Sequence, residues 1–113
     1  ANFGNTVDRD IYAEGVAASM LTPYYVLRYI FARHVDHTDT LRSIRVPVVF
    51  SHGQLDQAVL ARSAVDMASK LQGSTVTIYE ESSHAPFVTE PAKFNADLVA
   101  FIENVEMEIH HEQ

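Results

Sequence analysis

The sequence predicts an α/β fold in which two parallel strands are flanked by helices. An apolar run at 46–50 ends near a glycine, and a β-branched run follows at 75–79. Between them, apolar residues recur about every 3.6 residues, as in an amphipathic helix. Unbroken apolar runs are typical of parallel strands covered on both faces. Two such strands joined by a helix form a βαβ unit, which is right-handed in nearly all cases.

Two helices are predicted before this unit. Residues 1–7 form an irregular lead-in, and from 8 to 21 the apolar positions follow a rough helical spacing, with aspartates at the start where the helix dipole favours negative charge. Thr22 and Pro23 then form a restart signal, a hydroxyl cap followed by a proline at the first helical position. We therefore predict a second helix over 23–33.

The rest of the chain alternates strand and helix. The predicted segments are a lead at 41–44, a strand within 46–50, a helix over 59–71, a strand at 75–79, a loop at 80–89 and a last helix from Pro91. Gly53 frees the backbone to turn after the first strand, and Gly73 is a stop signal for the helix before it. Residues 106–113 are predicted to be a fraying polar tail. The predicted order is ααβαβα.

The composition indicates one globular domain. Of the 113 residues 47% are hydrophobic, and 15 acidic against 8 basic residues give a formal net charge of −7. This balance argues against binding to nucleic acid or to an anionic membrane surface. Without cysteine, no disulfide or thiolate metal site can form, and a cytoplasmic location is compatible with the sequence. We expect neither a transmembrane helix, which needs about 20 apolar residues, nor a signal peptide.

Two parallel strands leave both edges of the predicted sheet open. Unpaired edges are templates for pairing, and the apolar runs need cover on two faces. We therefore expect the chain to be a piece of a larger sheet. The missing strands could come from an absent N-terminal segment, from another chain, including a second copy in a homo-oligomer, or from nothing at all.

An aspartate and a histidine each follow a predicted strand. Asp56 lies beyond the first strand and His84 beyond the second, at the sheet edge where active sites of open α/β folds collect. An aspartate that accepts the histidine Nδ1–H fixes the tautomer and leaves Nε2 free to take a proton from a nucleophile. The pair predicts two members of a catalytic triad. Taken singly, a turn aspartate and a surface-loop histidine are the ordinary alternatives.

These segments resemble the α/β-hydrolase family. The resemblance rests on IRVPVVFSHGQLDQAV at 44–59, similar to a late strand and acid loop, and on SHAPFVTEPAKF at 83–94, similar to the histidine loop and final helix. In that fold the order is nucleophile, acid, histidine, which implies Asp56 as the acid and His84 as the catalytic histidine. The resemblance further implies that 41–105 is the C-terminal βαβα part of the core.

The N-terminal part resembles a helical cap. Residues 1–40 are similar to the cap that these enzymes insert before the acid strand, and TPYYVLRYIFAR resembles the lid of non-haem-peroxidase-like and esterase-like members. The resemblance implies a small-molecule substrate and no cofactor. Val59, Ala85 and Pro86 would flank the acid and histidine and shape an acyl or alcohol pocket. Met20 and Tyr24 could line a tunnel under the cap, or could be plain packing residues.

Two features depart from the family pattern. Ser83 stands where the family usually has glycine before the histidine, and no G-x-S-x-G nucleophile elbow or oxyanion-hole loop occurs. The following serines lie in no elbow: Ser51, Ser63, Ser69, Ser74, Ser82 and Ser83. We therefore expect ester hydrolysis in the complete enzyme and no acyl transfer by this chain alone. The alternative is a non-catalytic module that pairs its exposed strands with a partner or with itself.

Other polar clusters carry weaker signals. A metal cluster could be drawn in the polar loop predicted at 34–39, but its spacing matches no known site and a solvated loop is favoured; its members are His34, Asp36, His37 and Asp39. We predict no metal. His52 either packs beneath the site or is an incidental polar residue. His110 and His111 would point apart on a helix, which favours a polar tail.

Overall fold

The computed structural model describes residues 8–112, so the lead-in predicted at 1–7 lies outside the described residues, as does Gln113. The elements are α1 (Arg9–Met20), α2 (Tyr24–Ala32), α3 (Thr38–Ser43), β1 (Val49–Gly53), α4 (Ala61–Ser69), β2 (Thr75–Tyr79), α5 (Pro86–Thr89) and α6 (Pro91–His111). The predicted alternation is present, with two short helices, α3 and α5, in addition.

Strands β1 and β2 form a parallel pair, which confirms the predicted α/β class. Val49 lies opposite Thr75 and Gly53 opposite Tyr79, so both strands end at one edge of the sheet. Helix α4 connects them and packs against both. The loops that follow β1 and β2 therefore leave the sheet side by side, with the predicted acid on one and the predicted histidine on the other.

Helix α4 ends as the sequence predicts. Gly73 has a φ of 77°, the left-handed conformation that glycine adopts without strain. The Ser74 hydroxyl lies within hydrogen-bonding distance of the carbonyls of Ala68, at 3.0 Å, and Leu71, at 2.9 Å. This contact ties the residue before β2 to the end of α4. The chain is thereby turned directly into β2.

The region before β1 differs from the prediction. Residues 38–43 are helical, so the segment predicted as a lead at 41–44 is mostly helix, and the loop predicted at 34–39 ends early. Asp36 Oδ1 accepts the N–H of Thr38 at 2.9 Å, which satisfies a free amide at the start of α3. Strand β1 begins only at Val49, and Val46 is 67% exposed.

Three helix ends also differ from the prediction. Pro23, not Thr22, is the N-cap of α2, and no side chain caps that helix. Pro86 begins the short α5 inside the predicted loop because its fixed φ suits a first helical position. Helix α6 continues through 106–111, so this stretch is helical and is not the fraying tail that was predicted. Most of its residues are good helix formers, and His110 and His111 lie in the last turn, where the helix dipole favours basic side chains.

The core lies at the carboxyl end of the sheet. The buried apolar residues are Ala64, Leu71, Tyr79 and Ala85, and the buried polar residues are Asp56, Ser82 and Ser83. Tyr79 is fully buried, but the other apolar side chains of the two strands are only half-buried, although an unbroken apolar run predicts full cover. The main packing contacts join β1, β2, α4, α5 and α6 and include neither α1 nor α2. Among residues 8–112, no helix has the length and hydrophobicity needed to span a membrane.

Candidate active site

The structure brings Asp56 and His84 into direct contact. His84 Nδ1 lies 2.8 Å from Asp56 Oδ2. The other carboxylate oxygen, Oδ1, accepts the backbone N–H groups of Ala58 at 2.9 Å and Val59 at 3.0 Å. The Asp56 side chain is 2% exposed, whereas that of His84 is 60% exposed. The carboxylate is therefore fixed inside the protein and the imidazole presents its outer side to solvent.

Hydrogen bonds keep Asp56 ionised in spite of its burial. Burial acts to raise the pKa of the carboxyl group, but donation from Val59 N–H, from His84 and from Ala58 N–H outweighs it and holds the pKa below the usual 3.8. Because an ionised carboxylate only accepts, the shared hydrogen belongs to His84 Nδ1. Neutral His84 thus carries its lone pair on Nε2, for which the structure records no hydrogen bond within residues 8–112.

Backbone contacts join the acid loop to the histidine loop. Gln54 N–H donates to the carbonyl of Tyr79 at 2.8 Å, and Leu55 N–H donates to that of Ser82 at 2.9 Å. A Cβ atom on Gly53 would lie 1.8 Å from the Ser83 carbonyl oxygen. Gly53 does not have a positive φ, so it is required for this close approach rather than for the turn predicted from the sequence.

A buried polar network holds the histidine loop to the start of α6. The Ser82 hydroxyl donates to Glu90 Oε2, and the Thr89 hydroxyl donates to Ser82 Oγ at 2.6 Å. Ser82 is fully buried. The sequence does not predict this network. Pro91 marks Glu90 as a residue at a helix start, but no spacing rule identifies its partner, because the contact depends on how the loop folds back.

His52 is a second histidine beside the acid. Its Nε2 lies 2.7 Å from the Val59 carbonyl oxygen and 3.6 Å from Asp56 Oδ2, and its side chain is 14% exposed. Of the two alternatives left open by the sequence, this position matches packing next to the site. The strand places it there, because His52 precedes Gly53 at the end of β1.

The residues predicted to bind substrate occupy two separate regions. Ala85 and Pro86 are buried directly after His84, and Val59 is exposed at the end of the acid turn, which is formed by residues 56–59. Met20 and Tyr24 lie at the junction of α1 and α2, with exposures of 80% and 76%. Helices α1 and α2 do not take part in the main packing contacts between the elements. The role of Met20 and Tyr24 remains a prediction.

Ser83 is accommodated where the family pattern has glycine. Its side chain is 1% exposed, and its hydroxyl points to the Leu55 carbonyl at 3.4 Å. Within residues 8–112 no three histidine or acidic side chains are grouped for a metal ion. In the polar segment at 34–39, Asp36 accepts the Thr38 N–H and Asp39 lies 3.7 Å from Arg42. The acid and histidine pair is therefore the chemically distinctive feature.

The fold matches part of solved α/β-hydrolase structures. A protein from Burkholderia cenocepacia described as an aryl esterase aligns with 93% of this chain and 39% of its own, at a TM-score of 0.83 and 25% identity. An esterase from Exiguobacterium antarcticum aligns with 66% of this chain and 28% of its own, at a TM-score of 0.60 and 34% identity.

Sequence relatives belong to the same class. A non-haem chloroperoxidase of Burkholderia pyrrocinia is 32% identical over 98 residues, which are 86% of this chain and 34% of the relative. A pimeloyl-[acyl-carrier protein] methyl ester esterase of Vibrio vulnificus is 39% identical over 67 residues, 59% of this chain and 26% of the relative. No protein-family model matches the sequence. The chain is related to esterases and non-haem chloroperoxidases of the α/β-hydrolase family, and it spans about a quarter to a third of the length of these relatives.

Proposed function

We propose that this chain carries the acid and the histidine of a serine-type esterase site, with the nucleophile located outside these 113 residues. The observation that carries the proposal is the contact of 2.8 Å between His84 Nδ1 and the buried carboxylate of Asp56. An imidazole held in this tautomer directs its basic nitrogen outward, where a hydroxyl group can be deprotonated.

In the proposed reaction His84 takes up a proton and releases it twice, once in each half of the reaction. Its Nε2 takes the proton of a serine hydroxyl as the serine oxygen bonds to the ester carbonyl carbon, and Asp56 stabilises the imidazolium that forms. The imidazolium then gives that proton to the leaving alkoxide as the ester C–O bond breaks. In the second half, His84 Nε2 takes a proton from water as the water oxygen bonds to the acyl carbon. The imidazolium then returns that proton to the serine oxygen as the acyl–serine C–O bond breaks and the acid is released.

The ester substrate is inferred from the relatives, which include esterases. Ala85 and Pro86 are buried next to His84, and Val59 lies beside Asp56, which supports a role for these residues in the wall of an acyl or alcohol pocket. We extend the proposal to Met20 and Tyr24 as cap residues facing the substrate, since large apolar side chains at 80% and 76% exposure are available for contact.

A chimera tests the proposal. In the Burkholderia cenocepacia protein, the 39% that aligns with this chain is replaced by the chain itself, and hydrolysis of p-nitrophenyl acetate is measured. We expect hydrolysis, and we expect His84→Ala and Asp56→Asn each to lower kcat at least about a thousandfold, because the base is lost or held in the wrong tautomer.

The matched control is His34→Ala, an exposed histidine away from the site, which should leave the rate unchanged. Hydrolysis that persists in His84→Ala would overturn the proposal. If the chimera does not fold, the nitrogen chemical shifts of His84 in the 113-residue chain provide a second measurement. They must report a hydrogen on Nδ1 in the wild type and its loss in Asp56→Asn.

One observation favours a second candidate, a non-catalytic interaction module. The described sheet consists of two strands in the order β1-β2, so each strand has an outer edge without a partner strand among residues 8–112. Such edges pair readily with strands of another chain. A folded chimera without any hydrolytic activity, together with binding of the 113-residue chain to the nucleophile-bearing part, would favour this candidate.

A further inference from the structure

The carboxylate that orients His84 has a second imidazole next to it. His52 Nε2 is 3.6 Å from Asp56 Oδ2, the oxygen that accepts from His84. The same nitrogen is 2.7 Å from the Val59 carbonyl oxygen, at the far end of the acid turn. The His52 side chain is 14% exposed, so the imidazole is largely shielded from water, although Val59 itself lies at the surface.

The chemistry of the acceptor fixes the tautomer of His52. A carbonyl oxygen only accepts hydrogen bonds, so a contact of 2.7 Å requires the hydrogen to be on His52 Nε2. His84 carries its hydrogen on Nδ1 instead, because its partner is the Asp56 carboxylate. The two histidines beside Asp56 thus have opposite tautomers, and His52 has no basic nitrogen directed at the carboxylate.

Two hydrogen bonds hold Val59, the last residue of the turn at 56–59. From inside, Asp56 Oδ1 accepts the N–H of Val59 at 3.0 Å. From outside, the carbonyl of the same residue accepts from His52, which is fixed in strand β1. Without the His52 contact, the only described hydrogen bond of Val59 would be the one to the Asp56 carboxylate, which the turn is meant to position.

We propose that His52 is a positioning residue for the acid: its Nε2–H holds the 56–59 turn against β1 and keeps Asp56 Oδ2 directed at His84. This role rests on the proposed function, because it matters for catalysis only if His84 is the catalytic base. His52 contacts no reacting atom. Its effect is transmitted through the backbone at Val59 and through the nearby carboxylate oxygen.

Two amide substitutions at His52 separate hydrogen bonding from packing. In His52→Gln the side-chain nitrogen is as many bonds from Cβ as the imidazole Nε2, so it can donate to the Val59 carbonyl. In His52→Asn the nitrogen stops at the position of Nδ1 and cannot reach. Both variants are made in the full 113-residue chain, and two quantities are followed by NMR: hydrogen exchange of the Ala58 and Val59 amides, and the nitrogen shifts of His84.

We expect His52→Asn to raise the exchange rates at least about tenfold, which corresponds to about 1.4 kcal/mol of lost local protection. We also expect His84 to lose part of its Nδ1–H tautomer, which a purely structural role of His52 would not change. His52→Gln should preserve both quantities. Unchanged exchange and tautomer in His52→Asn, or losses in His52→Gln equal to those in His52→Asn, would overturn the proposal.

If the His52→Asn chain does not fold, the His52→Gln chain decides. It must keep the slow exchange of the Ala58 and Val59 amides and the Nδ1–H tautomer of His84, and loss of either would overturn the proposal. The experiment does not depend on turnover, so its failure is distinct from failure of the esterase proposal. Asp56→Asn is the reference variant: it must change the His84 tautomer whether or not His52 is intact, because it replaces the hydrogen-bond acceptor.

Discussion

Gly53 is the residue over which the acid loop and the histidine loop meet. A Cβ atom at this position would lie 1.8 Å from the Ser83 carbonyl oxygen and 2.4 Å from that of Ser82. Both obstacles are backbone atoms, which cannot rotate away as the end of a side chain can. The absence of a side chain at Gly53 is therefore a condition for the contact between Asp56 and His84.

Gly53→Ala should separate the two loops. We expect a loss of about 1–3 kcal/mol in the free energy of unfolding, the range typical of overpacking. We also expect faster hydrogen exchange at the Leu55 amide, because its bond to the Ser82 carbonyl at 2.9 Å spans the same gap. Urea unfolding and NMR-detected exchange measure the two effects.

Gly73→Ala is the matched control for this prediction. A Cβ at Gly73 would meet nothing within 4 Å, but the φ of 77° makes alanine strained by about 1–2 kcal/mol. This variant should lose stability with no change at the Leu55 amide or in the His84 tautomer. Equal effects of the two alanines on Leu55 would show that the close approach at Gly53 has no special role.

Single residues differ in how far the sequence reveals them. Asp56 and His84 could be predicted as partners because each follows a strand, and parallel strands end at one edge. The bonds from Ser82 to Glu90 and from His52 to Val59 could not be predicted, since each joins a side chain to a loop whose path depends on tertiary packing. Hydrophobic periodicity contains no information about such contacts.

At the scale of elements, Tyr79 attaches β2 to helix α6. Its hydroxyl donates to Asp97 at 2.9 Å, and its ring centroid is 5.9 Å from that of Phe94. Lys93 Nζ lies 4.0 Å from the ring centroid and 3.1 Å from Asp97 Oδ2. One fully buried side chain thus makes apolar, polar and cation–π contacts with the first two turns of α6.

This attachment should weaken at high pH. Burial, together with the hydrogen bond to Asp97, raises the pKa of Tyr79 from 10.0 to about 12. The folded pKa lies above the unfolded one, so the contribution is complete below pH 10.0 and is lost as the pH rises through about 12. We expect Tyr79→Phe to cost about 1 kcal/mol at neutral pH, and this difference from the wild type to shrink above pH 10 in urea unfolding.

Tyr25→Phe is the control, because Tyr25 is 73% exposed on α2 and makes no described hydrogen bond. It should be as stable as the wild type at each pH. A difference between wild type and Tyr79→Phe that stays constant from neutral pH to about pH 12 would contradict the assignment of the alkaline effect to Tyr79.

The elements were predicted best where periodicity was strong. Strand β2, helix α4 and the start of α6 agree with the sequence within a few residues, because β-branched runs, a 3.6-residue period and Pro91 are local signals. The short helices α3 and α5 were not predicted. A helix of 6 or 4 residues has too few turns to show a period, and here it depends on Asp36 or Pro86 at its start.

At the scale of the whole molecule, the chain is extended for its size. Its radius of gyration is 16.7 Å, against about 13 Å for a compact domain of this length. Large apolar side chains are exposed around α2, including Leu21 at 83%, Tyr24 at 76% and Phe31 at 84%. The expectation that missing strands or a partner are required remains a prediction, and this surface is the kind that such a partner would cover.

Exposed apolar surface should be measurable in solution. We expect the 113-residue chain to increase the fluorescence of 1-anilinonaphthalene-8-sulfonate while its far-ultraviolet circular dichroism remains that of a folded α/β protein. The double substitution of Leu21 and Phe31 by lysine should lower the fluorescence without changing the dichroism, because both side chains are more than 80% exposed. Fluorescence equal to that of the dye alone would contradict the prediction.

At this scale, the sequence predicts the α/β fold class and the family to which the relatives belong. It does not predict the overall shape of the molecule. Two parallel strands and the connecting helix were predicted and are present, and the relatives belong to the predicted family. How α1 and α2 lie against the remainder depends on contacts that a single amphipathic pattern does not specify. The pattern gives the apolar face of a helix but not what covers it.

The hydrogen bonds around the acid and histidine have one further consequence. Every described contact that orients Asp56 or His84 comes from residues between His52 and Glu90, and none comes from α1, α2 or α3. The hydrogen bonds of the pair are thus self-contained, and we expect that the helices before it can be lengthened, exchanged or moved without altering these bonds. Such a segment is a transplantable unit, which can be recombined with different lids and different nucleophile-bearing halves.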